Sequence, residues 1–175
     1  MDHEIIVEAT LELKDVQELN LFFTRTSRAM LAVIFFVVFI GIVLLVDGKR
    51  TGTEFVIIVL LDMLVSVILW FVNRWNIRQK SMKAFVSDKL IRQLYRFVFT
   101  GRDIHYSSES ETGNMLWTDI YEVRESPNLF LILLSTSRSL IVPKESFASE
   151  KDRTTFRQIV ETSLETGQYH WSRAR

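Results

Sequence analysis

Apolar residues dominate two stretches of the chain, 29–46 and 55–72, each 18 residues long, and Asp62 is the one charged residue inside either. Eighteen helical residues reach about 27 Å, close to the ~30 Å hydrocarbon core of a bilayer. Backbone groups find no water there, so both stretches are expected to be helical. The apolarity runs all the way round instead of forming a stripe, which argues against the buried core hairpin of a soluble protein. The pattern predicts a two-helix transmembrane hairpin.

Outside the hairpin the period changes twice. Residues 4–13, with Ile5, Ile6, Val7 and Leu11, predict a strand, and residues 15–26 a helix leading into the membrane with Val16, Leu19, Phe22 and Phe23 on one side. After the second span, Trp75, Met82, Phe85, Val86, Leu90 and Leu94 recur at helical steps. This predicts an amphipathic stalk over 73–93. A membrane-surface helix is the alternative, but no Pro or Gly separates the stalk from the span. From Leu94 the period becomes two. Tyr95, Phe97 and Phe99 alternate with Arg96 and Val98, then Ile104 and Tyr106 with His105 and Ser107.

Residues 107–114 read as a polar turn. Residues 115–117 and 120–124 follow as one strand or two, with an irregularity at Thr118 and Asp119. Ser126, Pro127 and Asn128 form a turn by their chemistry. Residues 129–134 are continuously apolar, as in a strand covered on both faces. Residues 135–139 turn again, and a strand over 140–142 ends at Pro143, which lacks a donor. Ser149 is a candidate N-cap for a closing helix whose apolar face is Phe156, Ile159, Val160 and Leu164, with Gly167 at its stop.

Short strands at about ten-residue intervals predict an antiparallel sandwich or barrel, closed by that helix. The expected class is an α+β membrane protein. Its segments are 1–28, 29–72, 73–93 and 94–175. About 80 residues make a small core, so the N-terminal strand is a candidate member of the same sheet.

Orientation follows the basic residues. Arg25 and Arg28 precede the first span; Arg74, Arg78, Lys80 and Lys83 follow the second; Lys49 and Arg50 lie in the loop. Both termini are expected in the cytoplasm. Trp70, Phe71 and Trp75 suit an interfacial belt, as do Phe22 and Phe23. The first 28 residues carry Asp2, Glu4, Glu8, Glu12, Asp15 and Glu18, unlike a secretory signal, so the first span is expected to remain as an anchor.

Asp62 lies about 11 Å into its helix, where a carboxylate costs about 2.5–3.5 kcal/mol. An antiparallel hairpin brings it near residues 39–41, where Gly41 permits close backbone approach, and Ser66 is its one local polar partner. Two readings stay open. Asp62 is an ion, proton or self-association site, which in a two-span protein requires oligomers, or it is a neutral acid bonded to Ser66 or backbone.

The sequence Met115, Leu116, Trp117, Thr118, Asp119, Ile120, Tyr121, followed by Val123, Arg124, Glu125 and Ser126, resembles the core of the YcxB-like family of bacterial membrane proteins. Ile141, Val142, Pro143 and Lys144, with Phe147 and Phe156, resemble its ending. The resemblance implies a pleckstrin-homology-like (PH-like) fold, a bent β-barrel capped by a C-terminal helix, in a bacterial inner membrane. It implies no reaction. Physically, Trp117 and Tyr121 are expected to fill a small barrel, with Phe147 and Phe156 plugging its end.

Lys+Arg and Asp+Glu balance at 21 each, which argues against nucleic acid as a partner. With no Cys, disulfides and thiolate chemistry are excluded. His3, His105 and His170 are scattered, without metal-ligand spacing. No nucleophile elbow or phosphate-binding glycine pattern is present. No cofactor, metal or catalytic set is expected.

The expected role is a non-enzymatic, membrane-anchored interaction module that binds a protein partner or itself. Lys89, Arg92, Arg96 and Arg102 are candidate lipid-headgroup contacts, against a solvated helix face. A small transport or sensing component using Asp62 is the alternative.

Overall fold

The computed structural model describes residues 4–46, 52–136 and 138–172. His3, Lys49 and Arg50, on which parts of the sequence reading rest, lie outside the described residues. The chain divides into two compact units, Gln17–Lys83 and Met1–Val16 with Ala84–Arg175.

The first unit is built on α1 (Leu13–Phe23), α2 (Arg25–Val46) and α3 (Gly52–Ser87), the outer ends of α1 and α3 belonging to the other unit. Helices α2 and α3 are long and apolar enough to cross a membrane. Val33 is 61% exposed and Leu60 61%, so the described residues leave this apolar surface uncovered. Helix α3 runs from the predicted span into the predicted stalk without a break, as expected where no Pro or Gly intervenes, but it ends at Ser87, short of the expected 93. Asp88 then accepts from the Leu90 amide at 2.9 Å, and a separate 3₁₀ turn follows at Leu90–Arg92. Thr24 separates α1 from α2. Arg28 closes that junction, donating from Nη2 to the Leu21 carbonyl at 2.8 Å, an acceptor at the end of α1, and from Nε to the Thr24 carbonyl at 3.3 Å, which also accepts from the Arg28 amide at 2.9 Å. Ser81 accepts from Asn20 Nδ2 at 2.9 Å and donates to the Ile77 carbonyl at 2.8 Å, tying α1 to α3.

The second unit holds two four-stranded sheets and a helix. Strands β1 (Ile5–Thr10), β2 (Leu94–Phe99), β3 (Asp103–Ser107) and β4 (Thr112–Leu116) form the first sheet in that order, all antiparallel. Strands β5 (Glu122–Glu125), β6 (Leu129–Leu133), β7 (Ser139–Pro143) and β8 (Tyr169–His170) form the second in the order β7-β6-β5-β8. Helix α4 (Glu150–Ser163) starts at Ser149, whose hydroxyl accepts from the Asp152 amide at 3.2 Å.

The N-terminal strand does join the sheet. Ile5 pairs with Phe99 and Thr10 with Leu94, so the whole helical region is inserted between β1 and β2. Ile5, Val7 and Ala9 point inward while Ile6, Glu8 and Thr10 are exposed. They meet Phe97, Phe99, Ile104, Trp117, Phe130 and Phe156 in one core. Strand β6 is buried at every position, as its unbroken apolar run predicts.

Several expectations are corrected. The sheets do not close into a barrel. The chain leaves the first sheet through a 3₁₀ turn at Trp117–Asp119, where Trp117 goes into the core and its indole Nε1 donates to the Thr100 carbonyl at 2.8 Å. The second sheet is mixed, because β8 runs parallel to β5. Thr112, Gly113 and Asn114 are strand and not turn. They pair with Ser107, Tyr106 and His105, and the Tyr106 ring occupies the space above Gly113, supplying cover that glycine lacks. Tyr121 does not fill the core but is 54% exposed, because the 3₁₀ turn sends Trp117 and Ile120 inward instead. Helix α4 stops at Leu164, which is extended, and Gly167, at φ 106°, serves the following turn into β8.

Candidate functional site

Most motif residues of the β unit converge on its core. Trp117, Ile120, Phe147 and Phe156 are buried. The Phe130 ring is their hub, with centroids 5.5 Å from Phe147 and 4.8 Å from Phe156. These contacts account for the aromatic positions as packing.

The polar motif residues assemble beside that hub. Glu125 ends β5, Pro143 ends β7, and the turn of Ser126, Pro127 and Asn128 brings the two strand ends together. Ser126 donates its amide to the Leu129 carbonyl at 2.9 Å, and Lys144 donates its amide to the Asn128 carbonyl at 2.8 Å. The nearly buried Glu125 Oε1 then lies 2.6 Å from Lys144 Nζ and accepts from Arg157 Nη2 on α4 at 2.7 Å. Its Oε2 accepts from the Ser172 amide at 3.2 Å. Lys144 Nζ also donates to the Pro127 carbonyl at 3.0 Å. The Lys144 and Arg157 cations sit 5.4 and 5.5 Å from the Phe130 ring centroid. Burial disfavours the Glu125 carboxylate, but the hydrogen bonds from Arg157 and Lys144 outweigh it and hold its pKa below the ordinary range.

A polar pocket of about 270 Å³ adjoins this latch, lined by Lys14, Asp15, Pro127, Asn128, Lys144, Glu145 and Arg153. Lys14 pairs with Glu145 at 2.9 Å and Glu12 at 3.2 Å. Burial raises the pKa of Asp15, which accepts from the Glu12 amide at 2.8 Å and so satisfies a donor at the start of α1. Arg153 donates to the Lys144 carbonyl at 2.9 Å. Each cation here has a carboxylate partner: Lys14 pairs with Glu12 and Glu145, Lys144 with Glu125, and Arg153 with Glu150. The pocket's chemistry is that of an ionic latch between strand ends and α4.

A second, open depression of about 540 Å³ follows β4, lined among others by Thr118, Asp119, Tyr121 and Gln168. Nearby, Arg124 Nη2 lies 2.7 Å from Glu122 Oε1 as an ion pair. The pair lacks hydrogen-bond alignment, and Arg124 Nε has no partner among the described residues. His170 Nε2 is 3.6 Å from Glu122 Oε2, too long for proton transfer. No cluster of His, Asp or Glu able to hold a metal occurs among the described residues.

In the helical unit, Asp62 is 4% exposed and its Oδ2 has no hydrogen-bond partner among the described residues. Phe35 and Ser66 line one cleft between α2 and α3, and that register carries Asp62 to the level of Phe39. Gly41 does not provide a close backbone approach: a Cβ there would meet nothing within 4 Å. The candidate headgroup residues are all exposed but do not form one patch. Lys89 and Arg92 lie before β2, Arg96 within it and Arg102 beyond it, so Arg92 and Arg102 stand about 20 Å apart along the strand. Arg92 is also engaged, 5.9 Å from the Phe85 ring centroid.

Sequence reasoning singled out Glu125 and quoted Lys144 in the motif, but it missed Arg157 and the pairing of all three. The available signal was a carboxylate directly before the Ser126–Pro127–Asn128 turn, with Arg157 beside the buried Phe156 on α4.

The family described as YcxB-like protein matches residues 99–160, from the end of β2 into α4. No curated protein and no solved structure matches this chain.

Proposed function

We propose, for a chain whose residues 99–160 belong to the YcxB-like family, that it is a membrane-anchored, non-enzymatic interaction module. The α2–α3 hairpin crosses a bacterial inner membrane with both termini cytoplasmic. The β unit, an opened PH-like arrangement, takes up an extended segment of a protein partner or of a second copy along β4. The free edge of β4 carries this reading. Strand β4 closes the sheet order on one side and contains neither a charged residue nor a proline. Such an edge is a template for strand addition. The other edges are less suited: β1 carries Glu8, β7 ends in Pro143, and β8 has two residues. Leu116, the last residue of β4, and Tyr121 beyond it, 41% and 54% exposed, offer apolar anchors.

The test uses the full-length protein in its membrane, with a photoreactive residue in place of Asn114. Crosslinking to a defined protein band is expected, and the double variant Thr112→Lys with Leu116→Lys should weaken it about tenfold. Crosslinking to lipid alone, or to protein equally in the edge variant, would overturn the reading.

The Asp62 Oδ2, without a hydrogen-bond partner among the described residues, favours a second reading, assembly or ion passage within the membrane. Asp62→Ala should then abolish the oligomer or the flux. Unaltered assembly and flux, with better insertion, would count against it.

A further inference from the structure

Helices α2 and α3 leave a groove of about 570 Å³ on one side of the hairpin. Ala32 and Ser66 keep its floor open because they are small where the helices face each other. Phe36, Met63, Trp70 and Phe71 build its apolar walls. The same floor residues and Trp70 also line a narrower cleft that has Arg28 and Asn73 among its lining. Arg74 lies 5.8 Å from the Trp70 ring centroid, at the same end. Arg25 precedes Arg28 by three residues on α2, about one helical turn, and so lies at the same end. Three like charges are therefore gathered at one end of an apolar groove, an arrangement that disfavours itself unless an anion joins it.

We infer that the hairpin binds one anionic phospholipid, with an acyl chain in the α2–α3 groove and the phosphate against Arg25, Arg28 and Arg74. The inference rests on the membrane-inserted reading of the hairpin. Charge complementarity selects the occupant. The walls accept hydrocarbon, and the guanidiniums match a phosphate in planar, multiply donated geometry. A zwitterionic headgroup brings its own cation to a site that already has three. Arg28, held by the Leu21 and Thr24 carbonyls, is the fixed member; the exposed Arg25 and partly exposed Arg74 can close on the ligand.

The experiment takes the full chain into nanodiscs of phosphatidylglycerol and phosphatidylcholine in equal amounts and counts retained lipid by native mass spectrometry. One retained phosphatidylglycerol is expected. Arg25→Gln and Arg74→Gln should each lower its retention about fivefold. Ala32→Phe, which fills the groove floor, should lower retention of both lipids. Equal retention of the two lipids by the native protein, or Arg variants that behave like it, would overturn the lipid site while the hairpin reading stands. Alkaline extraction of the cell membranes that hold the full chain separates the two claims: release of the native protein would overturn the hairpin reading and the site together.

Discussion

Glu125 shows how one carboxylate holds three segments. It is nearly buried and answers both Lys144 and Arg157, so removing it takes the carboxylate from Lys144 and leaves Arg157 only the longer pair with Glu150 at 3.8 Å. Glu125→Ala is expected to cost about 3 kcal/mol, read from urea unfolding of the detergent-solubilised protein by near-UV circular dichroism. The pH dependence has a definite sign. The folded pKa lies below the ordinary 4.5, so the latch contributes fully above that value and its contribution is lost as pH falls through the folded pKa. Glu125→Gln should flatten that acid limb. Gly113 poses the opposite problem. A side chain there meets the Tyr106 ring, and Gly113→Ala should cost about 1 kcal/mol as that ring swings off the sheet, measured by the same unfolding curves.

The informative element is β1. It contributes Ile5, Val7 and Ala9 to the core and covers the whole length of β2. A fragment beginning at Ala84 therefore lacks a strand of its own sheet and is expected to bind a hydrophobic dye and lose near-ultraviolet dichroism. Joining residues 4–16 to it through a short flexible linker should restore both signals. A fragment that folds equally well without β1 would contradict the shared core. This also explains why binding tests belong on the full chain: without β1, exposed Phe97 and Phe99 would capture proteins unspecifically.

Across the whole molecule, one β unit is interrupted by 67 residues of helical unit, Gln17–Lys83. Asp62→Leu removes the carboxylate from an apolar helix and should favour insertion by about 2.5 kcal/mol, measured by glycosylation-site mapping of inserted against uninserted chains. It should leave crosslinking at β4 unchanged. If crosslinking fell together with the insertion change, the two units would not act independently.

The hairpin helices, the alternation of β2 and β3, the doubly covered β6 and the Ser149 cap were legible from local order alone. Each depends on residues within a turn or two of one another, where apolar period and capping chemistry decide the outcome. Tertiary structure alone decided that β1 pairs with β2 across the helical insertion, that β8 adds in parallel beside β5, and that Thr112 and Asn114 extend a strand through a polar stretch. It alone also turned Tyr121 outward and gathered Glu125, Lys144 and Arg157 over one ring. The physical reason is separation. Strand partners and ion-pair partners are chosen by which distant surfaces need covering, and no local pattern carries that information.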